Sequence, residues 1–205
     1  MRNQEQKLLL EGWTVLGFNA FREEFSRFIE LTDLLSNDTN VLFPTTTDET
    51  SMRAYIRAVF ASIEGTTFAL KQLALRQAEH GRGGFTSAEL AMLREETFDL
   101  NEKGAAYAQQ KFLKLPSNLT FAFDVCSRPF GFRYEIDRSN QEWNKFQEAI
   151  KVRNRLTHPK TVEDLRVSAA DILCVAETAN WFIVQQKELL TRIDSYVTEL
   201  HKKIH

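Results

Sequence analysis

The sequence predicts an all-α protein, and three observations carry that expectation. Only 8 Gly and 4 Pro interrupt 205 residues, too few for a fold with many turns. Apolar residues recur at steps of three and four over long windows, as they do along one face of a helix. Capping signatures open two later windows: Thr86 to Glu89 reads TSAE and Ser139 to Glu142 reads SNQE. With 16 Phe and 3 Trp the chain has ample apolar material for a core. A helical bundle of about five helices in a single domain over 1–205 is the expectation, with one short irregular or hairpin-like insertion.

The first element is a helix from Gln4 to Leu35, in a segment (1–40) that packs on or extends the core. Phe18, Phe21, Phe25 and Phe28 form one stripe along it, read as core-facing rather than partner-facing. Pro44 and the Thr/Asp cluster of 45–48 break it and offer caps. A second helix spans Thr50 to His80 with Met52, Ile56, Val59, Ile63, Leu70 and Leu73 on its buried side. Gly81 to Gly84 (GRGG) ends it; this is no phosphate loop, because no strand precedes it and no GK[ST] follows. The TSAE box starts a third helix, or a broken pair, that carries on to about Leu115. Residues 117–137 hold Pro129 and Gly131 and alternate in places, so they read as the irregular or hairpin-like insertion. SNQE opens the helix that ends at Pro159, and Ser168 caps a long last helix with Ile172, Val175, Phe182, Leu189, Ile193 and Val197 inward.

Composition bounds function. The formal net charge is -2, so nucleic-acid binding would need a local patch rather than a global basic field. Cys126 and Cys174 make no CxxC or metal spacing and read as reduced core residues, which points to the cytoplasm. The N-terminus lacks a sustained apolar run, and no run is long enough to span a membrane. Four scattered His without an H-x-x-E or E-x-x-H pair argue against a metal site, so no metal and no cofactor is expected.

The informative stretch is AIKVRNRLTHPK, Ala149 to Lys160. At ~100° per residue, Trp143, Phe146, Ala149, Ile150, Val152 and Leu156 form an apolar arc, and Arg153 falls near its centre. A buried unpaired charge costs several kcal/mol, so Arg153 needs an anion, a crevice or an interface. Glu64 and Asp171, at the margins of the second and last helices' apolar faces, are candidate acidic partners, or else boundary and cap residues. Lys151 and Arg155 lie on the opposite, polar side. With Lys160 they form a local cationic cluster of the kind helix C-termini collect. Five residues along an ideal helix would set Arg153 and His158 ~140° apart. Pro159 disfavours the α conformation at His158 and so redirects the imidazole.

Arg153-Asn154-x-x-x-His158 at the end of an amphipathic helix, with a breaker next and a long helix after, resembles the HEPN superfamily of helical bundles. The resemblance covers the helical core from about Thr50 onward. It implies a metal-independent endoribonuclease that acts as a homodimer with a composite active site, in a toxin, phage-defence or RNA-processing setting. His158 would move a proton of the ribose 2′-hydroxyl, Arg153 would hold phosphorane charge, and Asn154 would orient the imidazole or the phosphate. Lys151, Arg155 and Lys160 would guide the RNA backbone; the resemblance gives 117–137 no role, and Arg128 and Arg133 lining the cleft is a guess apart from it. An antitoxin or defence partner would be expected. Where nucleotidyltransferase-paired toxins of the family carry Tyr two residues after the His, this chain has Lys160. The alternative is a catalytically silent HEPN-like dimerisation or interaction module, with Arg153 an ion-pair or interface residue.

Overall fold

The structure, a computed structural model, describes Trp13, residues 15–45 and residues 48–204. Its described residues form six α-helices and one two-stranded antiparallel hairpin, in the order α1 (Val15–Val41), α2 (Glu49–Glu79), α3 (Ser87–Leu93), β1 (Glu96–Leu100), β2 (Ala106–Gln110), α4 (Leu115–Ser127), α5 (Gln141–Thr157) and α6 (Ala169–Ile204). Short 3-10 turns sit at Arg128–Phe130 and Glu163–Leu165. No helix among the described residues is long and apolar enough to cross a membrane.

The chain divides into two compact units, each assembled from separate stretches. The first takes Met1–Arg27, Thr67–Glu135 and Leu189–His205; the second takes Phe28–Thr66 and Ile136–Glu188. Helices α1, α2 and α6 therefore each contribute to both. In the first unit Phe18 and Phe21 of the predicted stripe are buried, with Phe21 against Phe130 at 5.2 Å between ring centroids. In the second, Phe28 is buried, and Trp143, Phe146 and Trp181 form a ring cluster with centroids 5.2–6.0 Å apart. Rings at this spacing add edge and offset contacts to the area they bury. The predicted start of the first helix at Gln4 lies outside the described residues.

Local chemistry sets the helix starts. Asp48 Oδ2 accepts from the Ser51 backbone N–H (2.8 Å) and hydroxyl (2.7 Å), capping α2. Thr86 and Glu89 form the expected reciprocal box on α3. Ser168 accepts from Asp171 N–H (3.2 Å) and Asp171 accepts from Ser168 N–H (2.8 Å), capping α6 as expected. The α5 cap differs. Asn140, not Ser139, accepts from Trp143 N–H at 2.8 Å. Ser139 instead donates its N–H and hydroxyl to Asp137, one residue outside the cap.

Two expectations are corrected. The third helix does not reach Leu115: α3 stops at Leu93, where Glu95 adopts φ +56°, and the hairpin follows. Its turn is built by Asn101, whose Oδ1 accepts from Lys103 and Ala105 N–H (both 2.9 Å), and by Gly104 at φ +74°. Conversely, 117–137 is not an irregular insertion throughout, because α4 occupies its first half. Pro116 sits at the helix start, where its missing N–H costs nothing, and Leu119, Ala122, Phe123 and Cys126 bury one helical face. Only the stretch after Gly131 lacks regular structure, anchored by Tyr134 N–H donating to Ser127 Oγ at 2.9 Å.

Candidate functional site

The site lies in the second unit, at the end of α5. Trp143, Phe146, Ala149, Val152 and Leu156 are buried, so the apolar arc faces the core as its spacing requires. Arg153 cannot follow it inward without a partner. Its side chain is 27% exposed, and Nη2 meets Glu64 Oε1 of α2 at 2.5 Å. Nη1 donates to Asn154 Oδ1 at 3.2 Å. Of the two candidate acids, Glu64 is the partner.

Arg153 and Glu64 line a pocket of about 300 Å³ with Arg57, Phe60, Ala61, Leu156 and Thr157. The pocket thus sets two guanidinium groups and one carboxylate beside two buried apolar residues, Phe60 and Leu156. Asn154 and His158 do not line it; both are exposed, and Asn154 reaches it through its bond to Arg153.

His158 stands where the helix stops. Its backbone is at φ −126°, ψ 58°, outside the helical region, while its N–H still donates to Asn154 O at 3.0 Å. Pro159 dictates this, and the next residues are fixed by hydrogen bonds. Asp164 Oδ2 accepts from Lys160 N–H (2.8 Å) and Thr161 N–H (2.9 Å). Those bonds, that of Lys160 foremost, hold the Asp164 carboxyl below its ordinary range. Arg53 of α2 donates to Leu165 O at 3.0 Å. Sequence reasoning missed both pins: Asp164 accepts from N–H groups three and four residues before it, and nothing local marks Arg53.

Arg155 is another such pin. It pairs with Asp171 Oδ2 at 2.7 Å and donates to the Asp164 carbonyl (3.0 Å) and to the Arg166 carbonyl. Of the two readings the sequence left open for Asp171, acidic partner of Arg153 or helix cap, the structure shows the cap, and Asp171 pairs with Arg155; Arg155 is engaged within the chain. Burial raises the Asp171 carboxyl, but hydrogen bonds from Ser168 and Arg155 outweigh it and set it below its ordinary value. Lys151 is exposed and pairs with Glu148 at 2.7 Å; Lys160 is exposed. Arg128 and Arg133 both bind Asp124, in the first unit.

Sequence reasoning also missed Arg57. It lies seven residues before Glu64 on the same face of α2, with Ala61 between, a spacing that was legible once Glu64 was marked. Cys126 and Cys174 are free thiols. No group of three His, Cys, Asp or Glu among the described residues is placed to hold a metal ion.

No protein-family model, curated protein or solved structure matches this chain.

Proposed function

We propose that this protein is an endoribonuclease of HEPN type, cleaving RNA without a metal through Arg153, Asn154 and His158. One observation supports it above all: an arginine held by a carboxylate at a pocket stands five residues before a histidine at which the same helix ends. The ribose 2′-oxygen attacks its own phosphorus. The O2′–P bond forms, the P–O5′ bond breaks, the 2′-hydroxyl gives up its proton and the 5′-oxygen gains one. His158 exchanges the proton with the 2′-hydroxyl, the general acid–base role that an imidazole most often fills. Arg153 donates to the phosphorane oxygens, with Glu64 fixing its plane and Asn154 its second nitrogen. Lys151 and Lys160 attract the backbone, and Arg155 holds the loop that carries His158. A homodimer would set two such motifs in one cleft, in a toxin, phage-defence or RNA-processing setting.

A second reading, a silent interaction module, is favoured by one fact: Glu64 already satisfies Arg153 within the chain. Wild type, His158→Ala and Arg153→Ala, incubated with structured and unstructured RNA in EDTA, separate the two. The ribonuclease reading expects rates at least about a hundredfold lower in both variants, with helicity unchanged by circular dichroism. Equal cleavage by all three proteins, or none by wild type across the panel, favours the module.

A further inference from the structure

We infer that Arg57 is a phosphate-binding residue, and that the pocket takes one phosphate-ester group between the guanidinium groups of Arg57 and Arg153. The inference rests on the proposed function only for its choice of RNA as the source of that group.

Four observations converge on it. Arg57 lines the pocket, is exposed and makes no ion pair among the described residues. Arg53, one turn earlier on α2, shows what a structural arginine looks like here: Glu49, Thr50 and the Leu165 carbonyl engage it. Second, Arg57, Ala61 and Glu64 follow each other at steps of four and three, so they share one helix face. The small Ala61 side chain leaves the hollow between the two charged ones.

Third, Arg153 keeps free capacity. A guanidinium carries five N–H donors. Glu64 and Asn154 engage one each, on different nitrogens, which orients the group and leaves the other donors available. Fourth, the charges sum correctly. Two arginines and one glutamate leave the pocket one positive charge, which matches the single negative charge of a phosphodiester. The apolar flank of Phe60 and Leu156 lowers the local dielectric, so the fork-to-phosphate bonds act more strongly than on an open surface.

The test uses the full chain and a labelled single-stranded 2′-deoxy oligonucleotide, which lacks the attacking hydroxyl and cannot be cleaved by this route. Affinity is measured against salt for wild type, Arg57→Gln and Arg57→Lys, with adenosine monophosphate as a competing probe. Arg57→Gln is expected to weaken binding about tenfold and to lower the salt slope by about 0.7, one phosphate contact on a single strand. Arg57→Lys, which keeps the charge, is expected to restore the slope. Displacement by the mononucleotide alone, still dependent on Arg57, supports the phosphate site and makes a free nucleotide its source. An unchanged affinity and slope in Arg57→Gln overturns the inference, as does no binding of either probe by wild type. Weaker binding by Arg57→Gln in a protein that never cleaves RNA would leave this inference standing and remove the ribonuclease.

Discussion

Arg153 and Arg155 are two residues apart on α5 and pair with different acids. The helical wheel puts Arg153 on the apolar arc and Arg155 on the polar side, yet the two side chains are equally exposed, at 27% and 28%, because each finds an acid in the fold. The wheel left the partner of Arg153 open between Glu64 and Asp171, since Glu64 lies 89 residues away and the choice depends on how the helices pack. The structure makes Arg155 a clamp on the 158–171 connection. Arg155→Ala is therefore expected to cost about 1–3 kcal/mol in urea unfolding, less than a fully buried pair because both side chains keep some solvent contact. Lys151→Ala, whose pair with Glu148 is largely exposed, is expected to change stability by less than about 0.5 kcal/mol. A larger loss for Lys151→Ala than for Arg155→Ala would remove the clamp. Asp171 gives the same contact a pH signature. Its folded carboxyl titrates below the ordinary value of 3.8, so the unfolded chain takes up the proton first as pH falls. That share of stability is present above about pH 4 and is lost as pH falls through the lower folded value. Asp171→Asn is expected to be less stable than wild type at neutral pH and to close the gap toward pH 2. A constant gap across that range would count against the carboxylate.

At the scale of elements, the helices with one long apolar period were legible and the hairpin was not. The TSAE box signalled a helix truthfully, but α3 is only seven residues long, and the continuation to Leu115 had no apolar period of its own to support it. The better signal was Asn101 to Gly104, a turn sequence between two alternating runs. What sets the base of the hairpin is not visible in any pattern: Lys71 of α2, fully buried, forms an ion pair with Glu95, and Lys111 N–H donates to Glu95 O at 2.6 Å. The pair is asymmetric, because Glu95 retains 25% exposure and Lys71 none. Removing the carboxylate strands a buried ammonium; removing the ammonium leaves a carboxylate that reaches water. Glu95→Gln is therefore expected to cost about 3 kcal/mol and Lys71→Met clearly less, by urea titration. Both variants should speed amide exchange across residues 96–110. The reverse order of the two destabilisations would show that packing around Lys71, and not its charge, governs the site.

At the scale of the molecule, the division into two units had no sequence signal, and its physical reason is plain. Three of the four boundaries, at Arg27, Thr66 and Glu188, fall inside continuous helices rather than in linkers, and the fourth, at Glu135, falls in the irregular stretch after Gly131. Continuous helices make an energetic claim. Each of α1, α2 and α6 supplies buried residues to both units, such as Phe21 and Phe28, Leu70 and Ile63, Leu189 and Phe182. Melting one end of such a helix strips core from its own unit and leaves the other end to fray, so neither unit is expected to unfold alone. Tryptophan makes this measurable. Trp13 belongs to the first unit, and Trp143 and Trp181 to the second. In a Trp13→Phe background, fluorescence reports the second unit while far-ultraviolet circular dichroism reports all helices. Phe123→Ala opens a cavity in the first unit and Phe146→Ala in the second, at side chains with no exposure, each costing about 3–5 kcal/mol. One cooperative transition requires that Phe123→Ala shift the fluorescence midpoint and that, in each variant, the fluorescence and dichroism midpoints coincide. A fluorescence transition that ignores Phe123→Ala would mean the units unfold independently, and that the helices crossing between them carry no coupling.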